Sequence, residues 1–170
     1  FEVTRHLSQL NVRLWNSRPL LLSSTIETNN FLFAADLANL DVSFQDRVVI
    51  NRGTLHLHRS KFLWKDSYYE EFRFTNYGLD ALTIPFRISF DADFTDIFEV
   101  RGMRRERRGI RLETEIAPDV VLLAYKGLDG TVRKTEVHCD PVPKKMAASE
   151  AEYQIRLAPG ENVVLPFSVS

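Results

Sequence analysis

Acidic side chains crowd one short stretch: Asp91, Asp93, Asp96 and Glu99 fall within nine residues. Cleaving a glycosidic bond takes two carboxyl groups flanking it, and a calcium ion takes several oxygens. Asp91 and Asp93 would share a face if one strand ran through both. Too few glycines lie nearby for a calcium loop of the helix–loop–helix kind. Five arginines follow, Arg101, Arg104, Arg105, Arg107 and Arg108, broken by Glu106. Such a cluster could grip the phosphates of a nucleic acid. It could equally form bidentate pairs with carboxylates, whose geometry the guanidinium matches. The acids immediately upstream almost balance its charge, so ion pairing within the protein or at an interface is the expectation, not nucleic acid.

Three further constellations have weaker chemistry. His56 and His58 alternate and so point to one strand face, but zinc needs at least a third ligand and no nearby cysteine supplies it. A solvent-facing or partner-facing pair is expected there. Cys139 stands beside His138, on the opposite face of any strand, and is expected to be a buried thiol. Trp64 and Tyr68 flank a Lys65-Asp66 turn, where partial exposure would suit stacking on sugar, although most aromatics in a β protein pack in the core or across strands. No phosphate loop, nucleophile elbow, paired zinc motif or dinucleotide fingerprint occurs. The residues therefore assign no catalytic group, no metal and no cofactor.

The elements that must position these groups are strands. Leu82, Ile84, Phe86, Ile88 and Phe90 alternate with polar or small residues, the period of a half-buried strand. Pro85 has no backbone donor, which places that strand at an edge or at a bulge. Similar alternation runs through Leu10–Leu14, Leu55–His58, Phe72–Phe74, Tyr153–Leu157 and Val163–Val169. Turn signals separate the runs: Asn76-Tyr77-Gly78, Gly127-Leu128-Asp129-Gly130 and Pro159-Gly160. Lys144–Glu152 has helix-friendly composition but no apolar stripe and reads as a loop with at most one turn. The pattern predicts an all-β, antiparallel two-sheet sandwich of about ten to twelve strands.

Composition sets the outer bounds. With 44% apolar and 26% charged residues, the chain is neither disordered nor low in complexity. Its formal charge of -1 argues against a general polyanion binder. The longest apolar run, Val120–Tyr125, is far short of the roughly 20 residues of a spanning helix. A lone cysteine excludes an internal disulfide and favours the cytoplasm. The 170 residues suit a single domain, and a chain starting at Phe1 reads as one excised from a larger protein.

Several segments together resemble the N-terminal domain of glycogen debranching enzymes of the bacterial amylo-α-1,6-glucosidase-like kind. They are Pro19–Thr25, Arg52–Arg59, Phe90–Gly102 and Tyr125–Gly130 with Arg133. Thr4–Ser8 also fits, although the family has an aspartate where this chain has Val3. The stretch Asp91–Gly102 is the most specific part. The resemblance implies a supersandwich-like domain placed before a helical α/α toroid that holds the catalytic carboxylates and hydrolyses α-1,6 branch points of α-glucan. No catalytic residue is then carried onto this chain. Asp91, Asp93, Asp96, Glu99 and Arg101 become candidates for an interface with the toroid or the border of its substrate cleft. The toroid is the expected partner, with α-glucan a further one and neither nucleic acid nor a membrane. Two other readings stay open: a stand-alone glucan-binding module using Trp64 and Tyr68, and a structural domain that self-associates through exposed strand edges.

Overall fold

The computed structural model describes residues 4–27 and 31–170. The Phe1 start and the Val3 departure lie outside the described residues. Fifteen strands and one helical turn follow in chain order. They are β1 (Gln9–Leu14), β2 (Leu20–Ile26), β3 (Leu32–Ala38), β4 (Val42–Phe44), β5 (Arg47–Ile50), β6 (Leu55–Trp64), β7 (Ser67–Asn76) and β8 (Leu82–Asp91). After α1 (Ile97–Val100) come β9 (Ile110–Arg111), β10 (Glu115–Ile116), β11 (Val120–Lys126), β12 (Val132–Cys139), β13 (Lys145–Ala147), β14 (Glu150–Leu157) and β15 (Asn162–Val169).

A four-stranded sheet, β1-β8-β14-β13, faces a nine-stranded sheet ordered β10-β11-β12-β15-β7-β6-β3-β2, with β9 beside β11. Every pairing is antiparallel. Alternation decides what lies between the sheets. Ile84, Phe86, Ile88 and Phe90 of β8 meet Phe72 and Phe74 of β7 and Leu55 and Leu57 of β6, all essentially fully buried. Phe86 is the hub, edge-on to Phe72 at 5.3 Å and to Phe74 at 4.8 Å, with Tyr153 at 6.1 Å. A fully buried phenylalanine removes enough apolar surface to contribute on the order of 2–3 kcal/mol.

Two expectations need correction. The strand carrying Pro85 is interior, with β1 on one side and β14 on the other. Proline is tolerated because β1 stops opposite Phe86, so the missing donor faces the point where that neighbour turns away; only Trp15 N–H reaches the Pro85 carbonyl. Pro166 of β15 repeats the arrangement, where β12 ends and Asp140 N–H reaches its carbonyl. The second correction is Lys144–Glu152, which forms the β13–β14 hairpin. There the alternation of buried Ala151, Tyr153 and Ile155 overrides local helix propensity. Short strands with little periodicity, β4, β5, β9, β10 and β13, raise the count above the expected ten to twelve.

Turns behave as their residues dictate. Pro159-Gly160 sits in a turn closed by Glu161 N–H on the Ala158 carbonyl, with Gly160 at φ 74°. Edge strand β2 is exposed along its whole length, and a bulge between Leu21 and Ser23 breaks its register, a device that blunts edge-to-edge pairing. No helix among the described residues is long and apolar enough to cross a membrane.

Candidate functional site

The acidic stretch begins where β8 ends. Asp91 is the last residue of the strand, so Asp91 and Asp93 do not continue one strand face. The chain turns through Phe94, which holds φ at 51°, a strained conformation for a bulky residue. Stacking holds it there: the buried Phe94 ring lies 5.5 Å from Tyr125 and nearly parallel to it, with the His6 ring edge-on at 5.7 Å. Asp96 then caps α1, accepting from the N–H groups of Phe98 and Glu99, while Glu99 reaches back to the Asp96 N–H in a capping box.

Each carboxylate is occupied by arginine. Arg5 grips Asp93 in bidentate fashion, its Nε 3.1 Å from Oδ1. Arg111 pairs with Asp91 and also donates to the Ala92 carbonyl at 2.9 Å. Arg105 pairs with Asp96 and stands 3.9 Å from Glu99, and Arg108 reaches Glu99 at 3.3 Å and the Thr95 hydroxyl at 2.9 Å. Ion pairing thus draws on Arg5 and Arg111, both outside the arginine cluster. Hydrolytic chemistry would need two carboxyls open to a substrate, and these are engaged with cations and backbone donors.

Asp93 shows the electrostatic consequence. Burial works to raise its carboxyl, but hydrogen bonds from Arg5 and from the Thr95 N–H and hydroxyl outweigh it and hold the group at about 2. A carboxyl depressed in the fold stabilises it above the ordinary value near 3.8, and that contribution disappears as pH falls through about 2. Allowing for solvent screening, the pair is worth about 1 kcal/mol. Urea unfolding between pH 5 and pH 2 should therefore lose stability more steeply in the native chain than in Asp93→Asn. Parallel curves for the two proteins would show that the pair contributes nothing.

Ordering of this segment leaves a definite surface. Arg101, the residue that ends α1, is exposed, and so are Arg104 and Arg107. None of the three has a carboxylate partner among the described residues. The same segment carries exposed apolar side chains: Phe98 at 50% exposure and Met103 at 56%, with Ile97 and Val100 alongside. Charge pattern alone points to the acids and arginines of this segment and passes over its apolar residues. Their signal was present, since Ile97, Phe98, Val100 and Met103 fall on a segment too short to bury them all.

The other candidates are placed as follows. His56 Nε2 and His58 Nδ1 both meet Asp36 Oδ1, at 3.1 and 2.8 Å, and Ser23 donates to the second oxygen of Asp36 at 2.9 Å. The hydrogen bonds from His58 and Ser23 lower the Asp36 carboxyl. This cross-strand tie joins β2, β3 and β6 on the outer sheet face, and no group of three or more His, Cys, Asp or Glu side chains among the described residues is placed to hold a metal ion. Cys139 is buried, and burial pushes its thiol up to about 11. Trp64 is 53% exposed at the tip of β6, with its ring edge-on to Phe31 at 6.1 Å. Tyr68 points inward. Its hydroxyl donates to Glu70 at 2.6 Å, and Glu70 also takes Arg59 Nε at 2.5 Å. Trp64 and Tyr68 therefore lie on opposite faces of the sheet and do not form one platform.

The family model for the N-terminal domain of (some) glycogen debranching enzymes matches residues 1–168. No curated protein matches the chain by sequence. Among solved structures, a chain described as "Putative kojibiose phosphorylase from human microbiome" superposes with a TM-score of 0.67 at 9% identity. That match covers 97% of this chain but only 22% of the other, so the chain spans about a fifth of that protein's length. A chain described as "Putative aldose 1-epimerase" from Escherichia coli K12 gives a TM-score of 0.44 at 12% identity, covering 91% of this chain and 68% of that one. At these identities the likeness concerns fold, and only the first superposition is close enough to support it.

Proposed function

Because the chain belongs to the family of N-terminal domains of glycogen debranching enzymes, we propose that it is a single non-catalytic sandwich domain that docks on the catalytic part of a cytoplasmic glycoside hydrolase. In this reading the parent enzyme cleaves α-1,6 branch points of α-glucan, and a helical α/α toroid elsewhere in the chain holds its carboxyl pair. The observation that carries the proposal is the exposed face of segment 97–107. A capping box and ion pairs from Arg105 and Arg108 to Asp96 and Glu99 anchor its first turn, yet it presents Phe98, Met103 and three uncommitted arginines to solvent. Exposed apolar groups gathered on one short segment mark a surface that a second surface covers. The partner surface must then be apolar at its centre and carry carboxylates at its rim, to meet Arg101, Arg104 and Arg107.

Asp91, Asp93, Asp96 and Glu99 act in this account as the frame that presents the docking segment, and Arg101 as a contact. The purified chain should release no glucose from branched glucan or maltooligosaccharides. Turnover that disappeared in Asp93→Ala or Asp96→Ala would overturn the proposal, because it would place the cleaving acids here.

A further inference from the structure

The outer face of the nine-stranded sheet carries a ligand slot unrelated to the docking segment. Register builds it. Phe62, Tyr69, Ser168 and His138 are direct cross-strand neighbours on β6, β7, β15 and β12, and so form one row on one face. Phe62 stacks on one side of Tyr69, with centroids 5.1 Å apart and rings 17° from parallel. The other face of the phenol turns toward Ser168. Serine is short, so a gap opens between Tyr69 and His138, two strand spacings or roughly 9–10 Å apart. A cavity of about 410 Å³ occupies this place. The next row, Ser60, Glu71 and Pro166, continues the slot, and Asp140 and Asp119 close its rim.

The polar groups of the slot are largely uncommitted. The side chains of Ser60, Ser168, Asp119 and Asp140 make no hydrogen bond among the described residues. Glu71 pairs with Arg73 at 2.9 Å and His138 with Glu136 at 3.4 Å. An anion would be repelled by three carboxylates. A lone cation would need one carboxylate and one ring, and would leave the second wall and both hydroxyls without a role. A puckered ring rimmed by hydroxyl donors uses all of them: its C–H face lies on Tyr69, its edge donates to Glu71, Asp119 and Asp140, and its far face meets His138. We infer that this slot binds one hexopyranose unit of a neutral glucan. The inference rests on the reading of the parent as a glucan-acting enzyme, and moves the sugar contact from Trp64 and Tyr68 to Tyr69 and His138.

Isomaltose and maltotriose titrated into the chain, followed by amide shifts, provide the test. Saturable shifts should appear at Tyr69, Ser168 and His138, with a dissociation constant on the order of millimolar. Ser168→Phe fills the slot from its floor without touching the core. It should weaken binding about tenfold or more while unfolding remains cooperative, and Tyr69→Ala should do the same. Shifts that survive Ser168→Phe, or that centre on Trp64, would overturn the assignment. So would a lack of any shift at about 50 mM sugar, or saturation of the same amides by arginine hydrochloride alone. Amide exchange in the docking segment is a separate readout, so loss of the sugar site leaves the docking proposal standing.

Discussion

Replacing Glu70 by alanine should cost about 3–5 kcal/mol, as much as truncating a buried core phenylalanine. Its carboxylate is fully buried on the inner face of β7, held between Arg59 Nε and the Tyr68 hydroxyl. Arg59 is itself largely buried and lies 5.2 Å over the Phe72 ring, so it cannot swing out to water without giving up that contact. Removing the acid strands a guanidinium and a phenol in a poorly solvated place. Burial first, and then the same carboxylate, pushes the Tyr68 hydroxyl well above its usual range. Urea denaturation should show the loss, and the thermal midpoint should fall by about 10 °C. The triple variant Arg59→Met, Tyr68→Phe, Glu70→Leu leaves no group unpaired and should recover most of it. A triple variant as unstable as the single one would mean that the network stabilises the fold outright and that stranded charge is not the cause.

That network was invisible in the sequence for a definable reason. Glu70 stands two residues before Phe72, so period two puts it on the inner face, but its partner Arg59 lies on β6 and only the β6–β7 register brings the two together. Where alternation was long, the sequence carried the structure: Leu82–Phe90, Tyr153–Leu157 and Val163–Val169 became central strands of the two sheets. Where it was short it did not. The β4–β5 hairpin and the two-residue strands β9 and β10 are too short to show a period, although each pairs with a strand close by in the chain. Pro85 misled for a related cause, because a proline's fitness in a strand depends on where the adjacent strand stops.

The candidate site was legible to a different degree. Opposite charges at Asp91–Arg108 foretold ion pairs, but not that Arg5 and Arg111 would supply two of them. Which arginines remained outward could be seen only once the acids had been assigned. The slot beside Tyr69 needed the register of four strands, since Phe62, Tyr69, Ser168 and His138 are scattered over 107 positions of the chain. His56 and His58 did share a face as their spacing required, and Asp36, which receives them, came from another strand.

The second large effect belongs to the docking segment. In the chain alone, the amides of Val100, Arg101, Gly102 and Met103 donate only within a single helical turn that is open to water. Such hydrogen bonds open readily, and their amides should exchange within the fast range of the molecule. In the full-length parent enzyme, the catalytic part should cover Phe98 and Met103 and bind Arg101, Arg104 and Arg107. Exchange should then slow by about a hundredfold, as expected for roughly 2–3 kcal/mol of added local stability. Phe98→Ala with Met103→Ala removes the apolar contact without disturbing the Asp96 cap and should return much of the fast exchange. Hydrogen–deuterium exchange across residues 97–103, compared between the chain alone and the full-length enzyme, therefore tests the scaffold account most directly. Strong protection confined to the full-length enzyme is the predicted result; equal exchange in both would mean that nothing docks there.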